Sequence, residues 1–529
     1  MSLGKKENLF IVSVLFVLAT LITYVQYHKF VYGSAVRADT GFLLEMTENI
    51  ANGKGPISSI HAAMNNFFRE NLQTVPAQEY CTKKLGKEKE EFRYVFESHR
   101  YYITYIVAVF AKVFDTKALY YTTHVFGFFV FLYMLYRILR ESDVPVIPSI
   151  LFSILVFVHP AFSLSMSGQL YAERFFIPFA MIFLYFLNKK DLNLWGLYIS
   201  ASLICLVSER SPLMMGIFIF GYIILFWNSI EQKRKIHLGV IGSTILSFAV
   251  YSMWVIRKSN HWYAQGTFMP SSIGELMDRF ANPAFMDNLI VFGIVSFLLL
   301  GVFTVTKWRY FLMAFVMMIP NIVGNIGGAE KYGYLTHYHT LYFPFLVFAS
   351  TLGYIKLVDI IKQKKYYYVL NIAMVGLILL SSAYSPYTRN ISTKNMIKEN
   401  AFLRDLDLYP DIFNKKSFLR QYLDNYQKIA DAIPDGSIVT SGEMAQAILW
   451  KNKVNYFYPM GIDIADYAVL FVTKKDNNYS YSGAVSYLGA EETKKIDKCM
   501  IERMIKLGYD FKNQIIINSF AIIKRKKSK

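Results

Sequence analysis

The chain has 529 residues, of which 54% are hydrophobic, 17% aromatic and 18% charged, and its formal net charge is +18. Soluble domains carry about 25% charged residues, and apolar blocks as long as these would expose more hydrophobic surface than a soluble fold tolerates. A soluble enzyme is therefore excluded, and nucleic-acid binding is not the expected meaning of the charge, because the Lys and Arg among the apolar blocks cluster in the short connections between them.

The first apolar block covers residues 9–28. It is too long for a signal-peptide core and has no small-residue cleavage site after it, so a retained anchor is expected. The chain then reads Arg37-Ala38-Asp39-Thr40-Gly41-Phe42, which places a carboxylate just beyond the first span. Asp39 is either a general base at the membrane boundary or the N-cap of a helix starting at Thr40. Thr40–Asn52 reads as an amphipathic helix closed by Gly53, and Lys83–Arg93 as a charged helix or a solvated segment. Tyr101–Phe114 is apolar but short, and a helix lying on the outer membrane surface is expected; the alternative is a true second span.

Ten further apolar blocks follow, at about 118–139, 145–162, 174–188, 193–208, 211–228, 237–256, 288–306, 309–326, 341–361 and 366–384. A bilayer crossing takes ~20 helical residues, so a polytopic α-helical membrane protein of about eleven spans is expected. Lys5-Lys6, Arg137/Arg140, Lys189-Lys190, Lys233-Arg234-Lys235, Lys307/Arg309 and Lys362/Lys364/Lys365 then fall on one side. The positive-inside rule makes that side cytoplasmic. Residues 29–117, shorter loops near 160–173, 257–287 and 327–340, and everything after 384 are expected outside. The expected division is a transmembrane domain over residues 1–384 and an extracytoplasmic α/β domain over residues 385–529.

In that second segment, Ser417–Ala432 has helical periodicity and Pro434-Asp435-Gly436 is a turn. Ser437–Thr440 and Tyr467–Thr473 are β-rich runs with a helix expected at Ser441–Trp450 between them. Glu491–Leu507 reads as a helix and Gln514–Lys524 as a strand. Cys81 and Cys499 both fall in segments expected outside, where oxidation is possible, and a disulfide between them is one reading. Cys205 lies in an apolar block. No cysteine spacing suits a metal.

Four further groups carry candidate chemistry. Glu173-Arg174 opens the fourth block, where ionised groups are costly unless paired or solvated. Glu209-Arg210 sits between two blocks with almost no loop. These are either parts of a polar vestibule or a snorkelling pair and a solvated hairpin tip. His99, between Glu97 and Arg100, is either a phosphate, metal or proton partner or an ordinary interfacial histidine. Lys331, His337 and His339 lie in the last outer loop. They are either a phosphate-holding group among stacking tyrosines or part of an interfacial aromatic belt. His337 and His339 do not share a helix face, which argues against a helical metal site. No phosphate-loop, dinucleotide or zinc-protease motif stands in a credible context.

The order of these elements resembles the GT-C superfamily of membrane glycosyltransferases, and more closely the DUF2079 family of membrane proteins. The residues that carry the resemblance are Asp39–Phe42, Glu97–Tyr101, Gln169–Phe175, Glu209-Arg210, His337–Pro344, Ala432–Ser441, Val454–Pro459 and Asp466–Leu470. The chain departs from the pattern at Ser208, where a Lys is expected before Glu209. It departs again at the fourth block, where only Glu173 stands for an Asp-x-His-Glu-like element. The resemblance implies a GT-C-like fold and an inverting glycosyltransferase that takes a polyprenyl-phosphate-linked sugar as donor. A glycan, lipid or protein would be the acceptor, and membrane lipids would surround the enzyme. Asp39 would be the base and Glu173 would position the acceptor or a metal. Arg174, Arg210 and Lys331 would offset donor phosphate charge, with His99, Glu209, His337 and His339 lining the same site. A divalent metal is neither required nor excluded, and no other cofactor is implied. A transporter or flippase of lipid-linked glycans and a non-catalytic envelope scaffold are the competing classes. The expected location is a prokaryotic plasma membrane.

Overall fold

The computed structural model describes residues 10–17, 19–20, 38–63, 77–82, 93–167, 171–259, 272–323, 337–364, 366–384, 428–442, 445–446, 448–475, 478–483, 489–517 and 519–526. Four helices are long and apolar enough to cross a membrane: Thr116–Glu141, Gln232–Ser259, Gly301–Val323 and Phe343–Ile361. The apolar helices Val146–Val158, Leu194–Val207, Arg210–Leu225 and Tyr367–Ser382 are shorter. Local chemistry sets several starts. Asp115 accepts from the Ala118 N–H at 2.8 Å, and Asn193 from the Gly196 N–H at 2.8 Å, which satisfies amides that a helix start leaves unpaired.

Three expected spans come out differently. The block at 145–162 breaks after Val158 and restarts as Pro160–Ser167, because proline has no N–H and disfavours helical geometry in the residue before it. The block at 237–256 lengthens to Gln232–Ser259, since the flanking Lys and Arg are good helix formers. The expected connection at Lys307/Arg309 is continuous helical chain. Here Pro283–Gly293 passes into a π-turn at Ile294–Leu298 and a 3-10 segment at Gly301–Lys307, which runs directly into Trp308–Val323. The 3-10 segment packs closely on Phe343–Lys364. A Cβ at Gly353 would lie 1.9 Å from the Phe303 carbonyl oxygen, so only glycine permits this approach.

Many large apolar side chains point away from the bundle, among them Phe126, Ile147, Trp195, Ile224, Val250 and Leu379. In the first helix Ile11, Leu15 and Ala19 are buried while Phe10, Val14 and Val17 are exposed. The helix Ile103–Ala111 buries Ile103, Thr104, Val107 and Ala108 and exposes Tyr105, Ile106, Val109 and Phe110. Nine residues are too few to span a bilayer.

Three of the basic connections, those at Arg137/Arg140, Lys189-Lys190 and Lys233-Arg234-Lys235, meet at one end of the bundle. Arg137 bonds to Glu141 and to the Tyr185 hydroxyl, and Lys189 Nζ lies 3.5 Å from Glu141. Arg234 donates to the carbonyls of Lys189 and Lys190 at 2.8 Å. The helix Phe176–Asn188 leads from that end, over ~20 Å at 1.5 Å per residue, back to Glu173-Arg174 at its start.

The C-terminal part forms a six-stranded sheet in the order β4-β3-β5-β8-β7 with β6 also on β5. The strands are β3 Ile438–Ser441, β4 Val454–Phe457, β5 Tyr467–Lys475, β6 Asn478–Ser482, β7 Ile515–Ile517 and β8 Phe520–Lys524. β3 runs parallel to β4 and β5, and the other pairs are antiparallel. The expected last strand is thus a hairpin, and the helix beside it is Gly489–Lys506. The described residues of the stretch expected as a helix at 441–450 make single turns, with Ala445 N–H donating to Gly442 and Ile448 N–H to Ala445. Residues 417–427 lie outside the described residues. Earlier in the chain, β1 Ile57–Ser58 pairs with β2 Arg93–Tyr94. This early segment and the C-terminal sheet are joined covalently by a Cys81–Cys499 disulfide.

Candidate functional site

Residues 99–101 form the centre of a buried polar cluster. They follow the short 3-10 turn Val95–Glu97 and lead into the helix Ile103–Ala111. The backbone N–H of Arg100 donates to Glu209 Oε2 at 3.0 Å. His99 Nδ1 and Arg210 Nε each lie 3.6 Å from Glu209 Oε1. The Tyr101 hydroxyl donates to Glu173 Oε1 at 2.9 Å. The rings of His99 and Tyr101 stack with centroids 5.0 Å apart. Two carboxylates from separate connections are therefore held by three consecutive residues of the first long loop.

The two carboxylates differ in surroundings. Glu209 is 1% exposed. Burial works to raise its pKa, but the His99 ring, the Arg210 guanidinium and the Arg100 N–H more than offset that and hold it at about 2. It is a fixed anion whose charge is balanced locally. Glu173 is also buried, and its second oxygen, Oε2, has no hydrogen-bond partner among the described residues. A buried carboxylate oxygen left without a donor is costly, and it is the natural acceptor for a donor group of a bound molecule. Arg174, 1% exposed, sits beside it in the 3-10 turn Ala172–Phe175, with its guanidinium 6.0 Å over the Tyr171 ring.

The other expected residues are placed as follows. Asp39 lies in the first turn of the helix Ala38–Ala51, which starts at Ala38 and not at Thr40. The N-cap reading of Asp39 therefore gives way to a place inside the helix. Its side chain lies outside the described residues, as do all of Lys331 and the side chain of His337. His339 belongs to the 3-10 turn His337–Leu341, which packs against the turn holding Glu173. Its own partners lie in a neighbouring layer. Nδ1 bonds to the Tyr342 hydroxyl at 2.7 Å, which is 3.2 Å from Ser296 Oγ, and its ring stacks on Phe292. His159 completes that layer. Its Nδ1 accepts from the Ala161 N–H, so its Nε2 carries the proton and donates to the Val295 carbonyl in the π-turn at 3.0 Å. No group of three metal-ligating side chains occurs among the described residues.

Three residues that matter here were given no chemical role of their own from sequence. Arg100 and Tyr101 were adjacent to His99 and are the actual connectors. Glu45 is a lone carboxylate in the apolar run Phe42–Met46 and is buried; that isolation was the available signal.

A family model described as "Predicted membrane protein (DUF2079)" matches residues 39–475. No curated protein matches the chain.

Proposed function

Because the chain belongs to the DUF2079 family of predicted membrane proteins, we propose, from that premise and from the polar cluster, that it is an inverting glycosyltransferase of GT-C type. It takes a polyprenyl-phosphate-linked sugar as donor at the outer membrane face. The observation that carries this reading is that residues 99–101 hold both Glu173 and Glu209, with Arg210 paired to Glu209 and Arg174 next to Glu173 in the chain, at the end of the bundle opposite the basic connections. On the positive-inside rule the basic end is cytoplasmic. The carboxylate cluster and the C-terminal sheet are then outside, where the Cys81–Cys499 disulfide suits an oxidising compartment. The remaining apolar segments complete a multi-pass fold in a prokaryotic plasma membrane, with the N-terminus cytoplasmic.

In this reading Asp39 removes the proton from an acceptor hydroxyl or amine. The acceptor attacks the anomeric carbon, the bond from that carbon to the phosphate oxygen breaks, and the phosphate leaves with the electron pair. One direct displacement inverts the centre and needs a single base plus stabilisation of the leaving phosphate. Glu173 Oε2 accepts from the incoming group and orients it. Arg174, Arg210 and Lys331 stabilise the phosphate, and His99 and Glu209 hold the frame.

One observation favours the competing transport reading. The helical stretch from Pro283 to Val323 is interrupted by a π-turn and 3-10 turns, and transporters place substrate at discontinuous helices. Proteoliposomes loaded with a radiolabelled polyprenyl-phosphate monosaccharide and a mixed acceptor pool separate the two. Release of free polyprenyl phosphate supports transfer, whereas transbilayer movement of intact donor without bond cleavage overturns it.

A further inference from the structure

The outer stretch 257–287 contains a nine-residue helix, Ile273–Ala281. Ser272 caps it, its hydroxyl accepting from the Glu275 N–H at 3.1 Å. At about 100° per residue, Ile273, Leu276, Met277 and Phe280 share one side, and Gly274, Glu275, Asp278 and Arg279 the other. None of the nine residues is buried. Ile273 is 81% exposed and Met277 63%, while Leu276 and Phe280 are half-buried. The helix is fixed to the bundle along one edge. Arg279 pairs with Glu275 one turn earlier and donates to the carbonyl of Val323, the last residue of Trp308–Val323, at 3.3 Å. That carbonyl is one that a helix end leaves unpaired. Phe280 meets the buried Phe285 edge to face, with centroids 5.3 Å apart. Asn282 is extended, as a residue before proline prefers to be, and it turns the chain from this helix into Pro283–Gly293.

We propose that Ile273–Ala281 is a membrane-surface helix whose apolar face, centred on Ile273 and Met277, beds into the outer leaflet. Its neighbours set its height. Trp308–Val323 has the Lys307/Arg309 connection at its start, where Arg309 donates to the Leu225 carbonyl at 3.4 Å. Leu225 ends the helix that leads on to Lys233-Arg234-Lys235. Val323 lies at the other end of Trp308–Val323, ~24 Å from the basic side at 1.5 Å per residue. The two helices to which the short helix is tied both turn apolar side chains outward. Ile290, Ile294 and Leu298 are exposed on the segment that follows it, and Leu312, Phe315 and Val316 on Trp308–Val323. In a membrane protein such surfaces are covered by lipid. The sides of the helix then match three surroundings. Arg279, Leu276 and Phe280 face protein, Ile273 and Met277 face acyl chains, and Gly274 and Asp278 face water, which is the arrangement of an interfacial helix.

The occupant is lipid and not a second copy of the chain. Two large side chains on a nine-residue helix offer far less than the ~800 Å² per partner that a stable protein interface buries. Nor is charge the attraction. Glu275 and Asp278 stand against Arg279, which leaves the helix no surplus of positive charge for anionic headgroups, so the apolar face is what seats it. Through Arg279 and the Val323 carbonyl, the seated helix fixes the outer end of Trp308–Val323 against the leaflet. The inference concerns membrane seating and stands independently of the glycosyltransferase reading.

The test places an environment-sensitive fluorophore on Ile273→Cys, Met277→Cys or Asp278→Cys in the full-length protein. Cys205→Ala is the background, the Cys81–Cys499 disulfide stays intact, and the protein sits in nanodiscs of zwitterionic phosphatidylcholine. Such a face lies ~5–10 Å into the headgroup–acyl boundary, so the labels at 273 and 277 should lose about half or more of their emission to lipid carrying a doxyl group near the top of its acyl chain. They should emit at shorter wavelength than the label at 278 and lose little to aqueous iodide. The label at 278 should be quenched by iodide and much less by the doxyl lipid. A second arm needs no substitution. Wild-type protein in nanodiscs containing a phospholipid with a diazirine at the same depth should, on illumination, carry lipid adducts within residues 273–281. Equal iodide quenching at all three positions would leave the helix in water. Protection of 273 and 277 from both quenchers would mean that protein covers the face. Either result, or wild-type protein without adducts in this segment, would overturn the proposal.

Discussion

Tyr101 reaches across 72 residues of sequence to donate its hydroxyl to Glu173 Oε1 at 2.9 Å, and its ring stacks on His99, the neighbour of Glu209. Tyr101→Phe removes the hydroxyl and keeps the stack. Glu173 is then left buried without its described donor, which should cost about 1–3 kcal/mol. A lower thermal unfolding midpoint in micelles is the expected result. An unchanged midpoint would mean that the bond contributes nothing.

Glu209 is held at about 2 by His99, Arg210 and the Arg100 N–H against the opposing effect of burial. A carboxylate depressed on folding stabilises the protein above its unfolded value. That contribution is lost as pH falls from about 4.5 toward 2. Glu209→Ala should destabilise by roughly 3–5 kcal/mol, because it removes the buried carboxylate that His99, Arg210 and the Arg100 N–H are arranged around. The variant's stability should also change less than the wild type's across that acid range. Chemical unfolding at a series of pH values measures both.

Much of this arrangement was legible in the sequence. Glu173, Arg174, Glu209 and Arg210 stood out as charges at the edges of apolar blocks, and only packing or pairing makes such positions tolerable. The β-rich tail was legible from its composition, and the shared expected side of Cys81 and Cys499 left their disulfide as one open reading, which the structure shows. What was not legible depends on tertiary approach. Nothing in the residues around Tyr101 says that its hydroxyl meets a carboxylate on another connection. The continuous helical chain through Lys307–Arg309 was read as a loop because basic residues there mimic a boundary. The chain contains no proline between Pro283 and Pro320 to force a break. Glu45 was passed over because the Ser58 and Ser59 hydroxyls that hold it, and the Asn455 N–H from which Ser59 Oγ accepts, are ordinary polar groups until the sheet docks.

Gly353 lets the 3-10 segment Gly301–Lys307 approach Phe343–Lys364. A methyl group there would lie 1.9 Å from a backbone oxygen, and backbone cannot yield as a side-chain tip can. Gly353→Ala should destabilise by at least about 1–3 kcal/mol. Folding yield and unfolding midpoint in detergent report this, and wild-type values for both would refute the close contact.

The Cys81–Cys499 bridge closes a loop with a sequence separation of 418. Replacing both cysteines with serine should cost about 2–4 kcal/mol. Protease cleavage should rise in the C-terminal sheet, because one of its attachments to the early segment is gone. Equal digestion of the variant and the wild type would show that the noncovalent contacts, Ser59 to Asn455 among them, suffice.

The central claim is glycosyl transfer with Asp39 as base, and turnover of Asp39→Asn tests it most directly. Wild type and variant are reconstituted side by side and given a panel of radiolabelled polyprenyl-phosphate monosaccharides, with thermal unfolding as the check on folding. The account predicts donor cleavage by the wild type and a loss of about 100-fold or more in the folded variant, the scale of a general-base contribution. A folded Asp39→Asn protein that cleaves donor at the wild-type rate would contradict it.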